Sequence, residues 1–330
     1  MSERTQITLV GLGFVGTSIG LALKARDPSL SITGHEVDPL RARQARRLGA
    51  VDRTRINLIR ACEQADLVIL AVPLLEVRDT LEVIGPELKP GAIVTDTASL
   101  KVPVLEWARR WLSPQVHYVG GAPLFNPRLS PLECKGGPEA ARADAFEGGL
   151  YCITPDTGTT PEAVEQLAAL AEMLGARPIF LDPQEHDGLR AAVEALPMLL
   201  GTVLLRTALD SPGWREARKV AGPAFLQATA PVVGQARSQA ALLRLNRENL
   251  LRQLNAWLGT LERLRAMLLA EEEAPLEALF TELVEARDAW MHDRQQGMWE
   301  ERGREEAPSS GSFLKRLFGF GDRRPPPRSR

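Results

Sequence analysis

Gly11-Leu12-Gly13-Phe14-Val15-Gly16 follows an apolar stretch (Ile7, Leu9, Val10) and runs straight into a helical pattern carrying Ile19, Leu21, Ala22 and Leu23. Strand, glycine loop, helix is the order that cradles the pyrophosphate of a dinucleotide. Gly11 permits the tight turn, Gly13 lets the backbone approach a phosphate with no side chain between, and Gly16 allows close helix packing. The helix N-terminus offers N–H groups and a partial positive charge to the anion. A second strand, Leu30 to His35, ends at Glu36, 20 residues beyond Gly16, where a carboxylate accepts hydrogen bonds from the ribose hydroxyls. Glu36 would repel a 2′-phosphate, so NAD is the expected cofactor and NADP the poorer one. The arginines that follow, Arg41, Arg43, Arg46 and Arg47, read as a solvated helix face.

The elements that must position this loop come next along the chain. Ala65 to Pro73 (ADLVILAVP) is apolar on both faces, as a buried parallel strand is, and its end, Ala71, Val72 and Pro73, falls at the carboxyl edge where a cofactor lies. A helix over Val77 to Ile84 and a Lys89-Pro90-Gly91 turn lead to a fourth strand, Ala92 to Thr95. Thr97 and Ser99 follow it and are candidate cofactor or substrate contacts; capping of the next helix is the other reading. A fifth strand is expected over Val116 to Val119. The Gly- and Pro-rich stretch from Gly120 to Gly149 reads as a long functional loop. Leu150 to Thr154 and Pro178 to Leu181 read as strands, with an amphipathic helix over Pro161 to Leu174 between them.

From Pro183 strand signals stop and apolar residues recur at helical spacing, from Leu189 and Val193 through Leu204 and again from Leu242 to Leu264. A kink is expected at Pro197. Apolar residues on more than one helix face exceed what about 120 residues of one chain can cover, which predicts a homodimer through this half. The expected organisation is a doubly wound, mostly parallel α/β domain over residues 1–182, an all-α dimerisation domain over 183–305, and a disordered basic tail over 306–330. Beyond Ala307 the tail has six basic residues against Asp322 alone, with a short amphipathic stretch at Phe313 to Phe320.

Composition sets the remaining bounds. At 330 residues, 44% hydrophobic and 25% charged, with a net charge of −2, the chain is an ordinary globular one with no global attraction to nucleic acid. The polar start, Met1 to Gln6, leaves no room for a signal peptide, and the longest apolar run, Ala195 to Leu205, is short of a membrane span, so no stable membrane association is expected. Cys62, Cys134 and Cys152 show no metal-ligand spacing. A cytoplasmic location and no metal are expected.

Several motifs together resemble one family, the prephenate and arogenate dehydrogenases of tyrosine biosynthesis. They are the glycine loop with Ser18 after it, ADLVILAVP at Ala65, VTDTASLK at Val94, the Gly120-Gly121 turn, FEGGLYCITP at Phe146, His186-Asp187, Leu196-Pro197, and Asn246 with Asn249. The resemblance implies a Rossmann domain followed by a helical dimerisation domain, and NAD-dependent oxidative decarboxylation of a cyclohexadienyl acid. It also exposes three departures. The family's histidine after the Gly-Gly turn, which takes the proton of the ring hydroxyl, is Ala122; a second histidine is Met198; and the arginine that grips the substrate carboxylate is Ala230. Ser99 of the usual set remains, and His186 is the other candidate to carry the proton, although at the opening of a helix beside Asp187 it reads first as a capping or packing residue. A positioned base contributes about 10² to 10⁴ in rate and a charge-assisted carboxylate contact about 1.5 to 3 kcal/mol. Loss of both implies weak turnover of prephenate, a changed substrate, or a dimeric NAD-binding protein that regulates. A β-hydroxyacid dehydrogenase would need a lysine with an asparagine four residues on, which this chain lacks.

Overall fold

The computed structural model describes residues 5–130, 134, 136–271 and 273–298; the basic tail and its amphipathic stretch lie outside them. In the first half, strands alternate with helices: β1 Gln6–Val10, α1 Phe14–Arg26, β2 Ser31–His35, α2 Pro39–Arg47, β3 Arg53–Arg55, α3 Leu58–Cys62, β4 Leu67–Leu70, α4 Leu74–Ile84, β5 Ile93–Asp96, α5 Val102–Trp111 and β6 His117–Tyr118. The six strands pair in parallel in the order β3-β2-β1-β4-β5-β6. Strand order therefore reverses between β1 and β4, and the crevice above that point is where such sheets bind ligands. Helices cover both faces, which is why β4 is apolar throughout and β1 buries Ile7, Leu9 and Val10. One buried cluster includes Ile19 and Leu23 of α1; the other holds Val68, Val77, Leu81, Val94 and Val104. The fold is the α/β, parallel-sheet architecture that the alternating pattern predicts.

Two strands differ from expectation. β3 is short, charged and exposed at both ends, so an edge strand with no apolar alternation left no signal. The strand expected over Val116 to Val119 is β6, which stops at Tyr118, and a separate strand, β7 (Gly120–Pro123), opens a second sheet inside the stretch expected to be loop. There β7 runs antiparallel to β8 (Leu150–Thr154), which pairs in parallel with β9 (Arg177–Phe180) after α6 (Pro161–Met173). The glycines explain the abrupt change. A Cβ on Gly120 would stand 2.2 Å from the Thr154 hydroxyl, and one on Gly121 2.4 Å from the Tyr151 hydroxyl, so only a backbone without side chains fits there.

The second half is helical: α7 Pro183–Arg190, a π-turn Ala191–Ala195, α8 Leu196–Asp210, α9 Trp214–Val220, α10 Pro223–Thr229, α11 Ala236–Leu245, α12 Arg247–Ala270 and α13 Glu273–Gln296. The disturbance expected at Pro197 sits one turn earlier. Pro197 is in the first turn of α8, and the π-turn just before it absorbs the mismatch of a residue with no N–H to donate. The continuous run Pro183–Asp210 is 28 residues long with a mean hydropathy of 1.5 over its most apolar window. Among the described residues it is the one helix long and apolar enough to cross a membrane, which corrects the shorter run read from sequence. Its first turns are tied into the protein instead: Asp187 bonds to the start of α5, and the Asn246 amide donates to the Asp187 carbonyl at 2.8 Å.

Candidate active site

The nucleotide end is built by local sterics. Gly11 sits at φ +90°, where an added Cβ would lie 2.5 Å from the Ala71 carbonyl oxygen. A Cβ added at Gly16 would lie 1.9 Å from the Gly11 carbonyl oxygen and 3.2 Å from the Ala71 Cβ, so a residue without a side chain lets the helix close onto both the loop and the strand end. A Cβ on Gly13 would meet nothing within 4 Å. That open space at the start of α1 fits a pyrophosphate, and Gly11, Leu12, Gly13, Phe14, Val15 and Gly16 thus stand where a dinucleotide would be held. Glu36 closes the loop from the other side: its carboxylate accepts from the Leu12 N–H at 2.9 Å and from the Asp38 N–H at 3.1 Å. Burial, followed by the negative charges of Glu36 and Asp79, pushes the Glu76 carboxyl upward. This end of the crevice is acidic, a poor place for a 2′-phosphate.

Farther along the crevice a cavity of about 1240 Å³ lies between the two halves. Its floor is the carboxyl edge of the sheet: Val15, Ala71, Val72 and Pro73, then Thr97 and Ser99. Its roof is helical, from Glu194 and Met198 through Gln227 and Ala230 to Gln239. Thr97 is fixed by its N–H on the Leu70 carbonyl at 3.0 Å. Ser99 does not cap α5; its hydroxyl donates to the Glu194 carboxylate at 3.3 Å. The cap is Asp187, whose two oxygens accept from the Lys101 and Val102 N–H groups at 2.7 and 3.0 Å.

Beneath the floor lies a buried polar network. The Lys101 ammonium is 1% exposed and donates to Asp96 and to the Gly121 carbonyl, each at 2.6 Å; the Tyr118 hydroxyl donates to the other Asp96 oxygen at 2.7 Å. Burial, and then the Asp96 charge, drives the Tyr118 phenol well up. VTDTASLK contains both Asp96 and Lys101, and an acid and a lysine at opposite ends of one strand-to-helix turn were a legible sign of an internal ion pair.

His186 is placed apart from the cavity lining. It is 2% exposed, with Nδ1 against Asp187 at 2.9 Å, and Asp187 already acts as acceptor for two N–H groups, so Nδ1 carries the proton. Burial, only partly offset by the hydrogen bond to Asp187, lowers its pKa. The cavity thus brings Ser99 and Thr97 together with Ala71, Val72 and Pro73 and leaves His186 buried at the domain junction, outside the lining. Of the three departures, Met198 and Ala230 line the cavity. Ala122 does not; it is buried in β7 opposite Cys152. Glu194, on the cavity wall, was missed: an acid on an apolar helix, four residues from Arg190, was the available signal.

Family models for the prephenate dehydrogenase nucleotide-binding domain and dimerization domain match residues 19–180 and 182–282 respectively. The chain belongs to the prephenate dehydrogenase family. It is 27% identical to a prephenate dehydrogenase of Bacillus subtilis over 86% of this chain and 74% of that one. It is 26% identical to a cyclohexadienyl dehydrogenase of Zymomonas mobilis over 89% and 98% of the two chains. In fold it matches the prephenate dehydrogenase of A. aeolicus solved with hydroxyphenyl propionate and NAD+, with a TM-score of 0.77 at 22% identity over 87% of this chain and 99% of that one. Membership assigns roles to the two walls of the cavity: the floor belongs to the nucleotide-binding domain, and the roof to the dimerization domain.

Proposed function

We propose that this family member is an NAD-dependent dehydrogenase that oxidatively decarboxylates a cyclohexadienyl acid of the prephenate or arogenate type, the reaction that leads to tyrosine. The observation that carries the reading is the single cavity wall shared by Val15, Pro73, Thr97 and Ser99, which brings the end of a complete dinucleotide crevice beneath a helical roof large enough for a second, small ligand. Bound NAD would supply the hydride acceptor. The chain's own residues do the rest: the glycine loop holds the phosphates, Glu36 takes the ribose, Ala71, Val72 and Pro73 form the bed for the nicotinamide end, and the roof excludes water.

The roof is also the part that supports a homodimer. Leu204, Leu258, Leu261, Leu268 and Phe280 are each 40% or more exposed in the single chain, on three different helices. A buried role in a second copy accounts for them, and a cytoplasmic dimer is the corresponding assembly.

A second reading rests on Met198 and Ala230. With apolar side chains where the family resemblance places a histidine and the carboxylate-binding arginine, the protein could bind NAD and a ligand without turnover and act as a regulator. Full-length protein with NAD, assayed for NADH formation against prephenate and arogenate, separates the two. Turnover of either acid above the enzyme-free rate supports the dehydrogenase; NAD binding by calorimetry with no NADH from either supports the regulator.

A further inference from the structure

Every dehydrogenation of a carbinol needs a group that takes the hydroxyl proton as the C–H electron pair leaves. Among the described residues that line the cavity one side chain is ionisable, Glu194. It stands on the π-turn that precedes α8, and two contacts fix it. The Ser99 hydroxyl donates to its Oε1 at 3.3 Å from the loop after β5, and the Arg190 guanidinium pairs with its Oε2 from one turn earlier on α7. Ser99, Glu194 and Arg190 thus form a chain that starts in the cavity floor and ends in protein.

Resting on the dehydrogenase reading above, we infer that Glu194, reached through Ser99, is the proton acceptor of this protein and takes over the task left open at Ala122. As the carbinol C–H bond of the substrate breaks and its electron pair passes to the nicotinamide, the hydroxyl proton moves to Ser99 Oγ and the Ser99 proton to Glu194. The ring carboxylate then departs as CO2, its bonding pair enters the ring, and the proton returns along the same path to the phenolate oxygen. The substrate loses one hydride and one CO2, and the proton is restored, so charge and atoms balance.

Glu194 lies within the π-turn just ahead of Pro197 and pairs with Arg190 four residues earlier. The charged surroundings of the pair are defined. Arg190 faces Glu194 directly; His186 and Asp187 stand on the same helix; Lys101 and Asp96 lie under the floor; and α12, packed on the π-turn, contributes the neutral Asn249, with Asn246 just ahead of its first turn and Arg252 engaged on Asn249. His186 does not compete for the role, since it is 2% exposed and outside the lining.

The test uses the full-length protein with saturating NAD and, separately, prephenate and arogenate. Glu194→Gln is expected to lower kcat by about 10² to 10⁴ while KM stays within about threefold. Glu194→Asp, which keeps the carboxylate, should retain part of the activity, and Ser99→Ala should reproduce the loss. A readout independent of turnover is calorimetric binding of 4-hydroxyphenylpropionate against 3-phenylpropionate. The hydroxyl should give the wild type about tenfold tighter binding, and that advantage should vanish in Glu194→Gln. A Glu194→Gln protein with wild-type kcat and hydroxyl preference would overturn the assignment and leave the dehydrogenase intact. No turnover of either acid by the wild type would overturn both. Should Glu194→Gln not fold, a Ser99→Ala protein with wild-type kcat and hydroxyl preference would overturn the assignment alone.

Discussion

The two halves of the chain finish their cores differently. In the nucleotide-binding half the central strands β1, β2, β4 and β5 are almost wholly buried, and even charges are paired inside: Lys101 and Asp96 are 1% and 0% exposed. In the helical half α9, α10 and α13 bury no residue, and α12 buries Leu250 alone, although α10, α12 and α13 carry large apolar residues that stand exposed, Leu226, Leu261 and Phe280 among them. A parallel sheet covered on both faces satisfies its own backbone and side chains. Long helices with apolar residues on several faces do not, and need further helices to cover them. The first half therefore covers its own sheet, while the second, which supplies the roof of the site, leaves apolar helix faces that the proposed dimer would cover.

Lys101→Met tests the first limb of that contrast with the largest effect. It leaves Asp96 buried with its charge uncompensated, so the first half should lose about 3 to 5 kcal/mol of stability in urea unfolding, with the dimer otherwise retained. A loss below about 1 kcal/mol would mean that the network is not a core element. Leu261→Asp, on an exposed face of α12, attacks the other limb. Light scattering should show the dimer weakened by about tenfold or more, with NAD affinity unchanged; a wild-type chain that is already monomeric at micromolar concentration would break the comparison.

Glu36→Ala should narrow the preference for NAD over NADP by about tenfold in calorimetry, because it removes the carboxylate nearest the ribose while Glu76 and Asp79 remain. An unchanged ratio would move the discrimination elsewhere in the crevice. The smallest expected effect is on the pH dependence of stability. Burial holds the folded His186 below its unfolded value of about 6.5, so the unfolded chain binds the proton first as pH falls. Stability is full above about pH 6.5 and declines below it until the lower folded value is passed. His186→Gln should flatten that segment of the difference between the two proteins, and parallel curves would show that His186 does not titrate differently on folding.

Local constraints were legible in the residues. The glycine loop, Glu36 and the alternation that makes a parallel sheet all follow from sterics and periodicity within a few residues, so they read the same before and after folding. The family motifs added the order of the two domains. What the residues alone did not decide was every contact made across the domain junction. Asp187 caps a helix whose start lies 86 residues earlier, and Ser99 meets Glu194 across 95 residues. His186, beside Asp187, turns away from the cavity for the same reason that Asp187 is held: its helix docks by that carboxylate. Such pairings depend on the angle at which two finished units pack and on the register of one π-turn. Neither leaves a period or a spacing in the chain, so tertiary structure alone decided which acid faces the cavity.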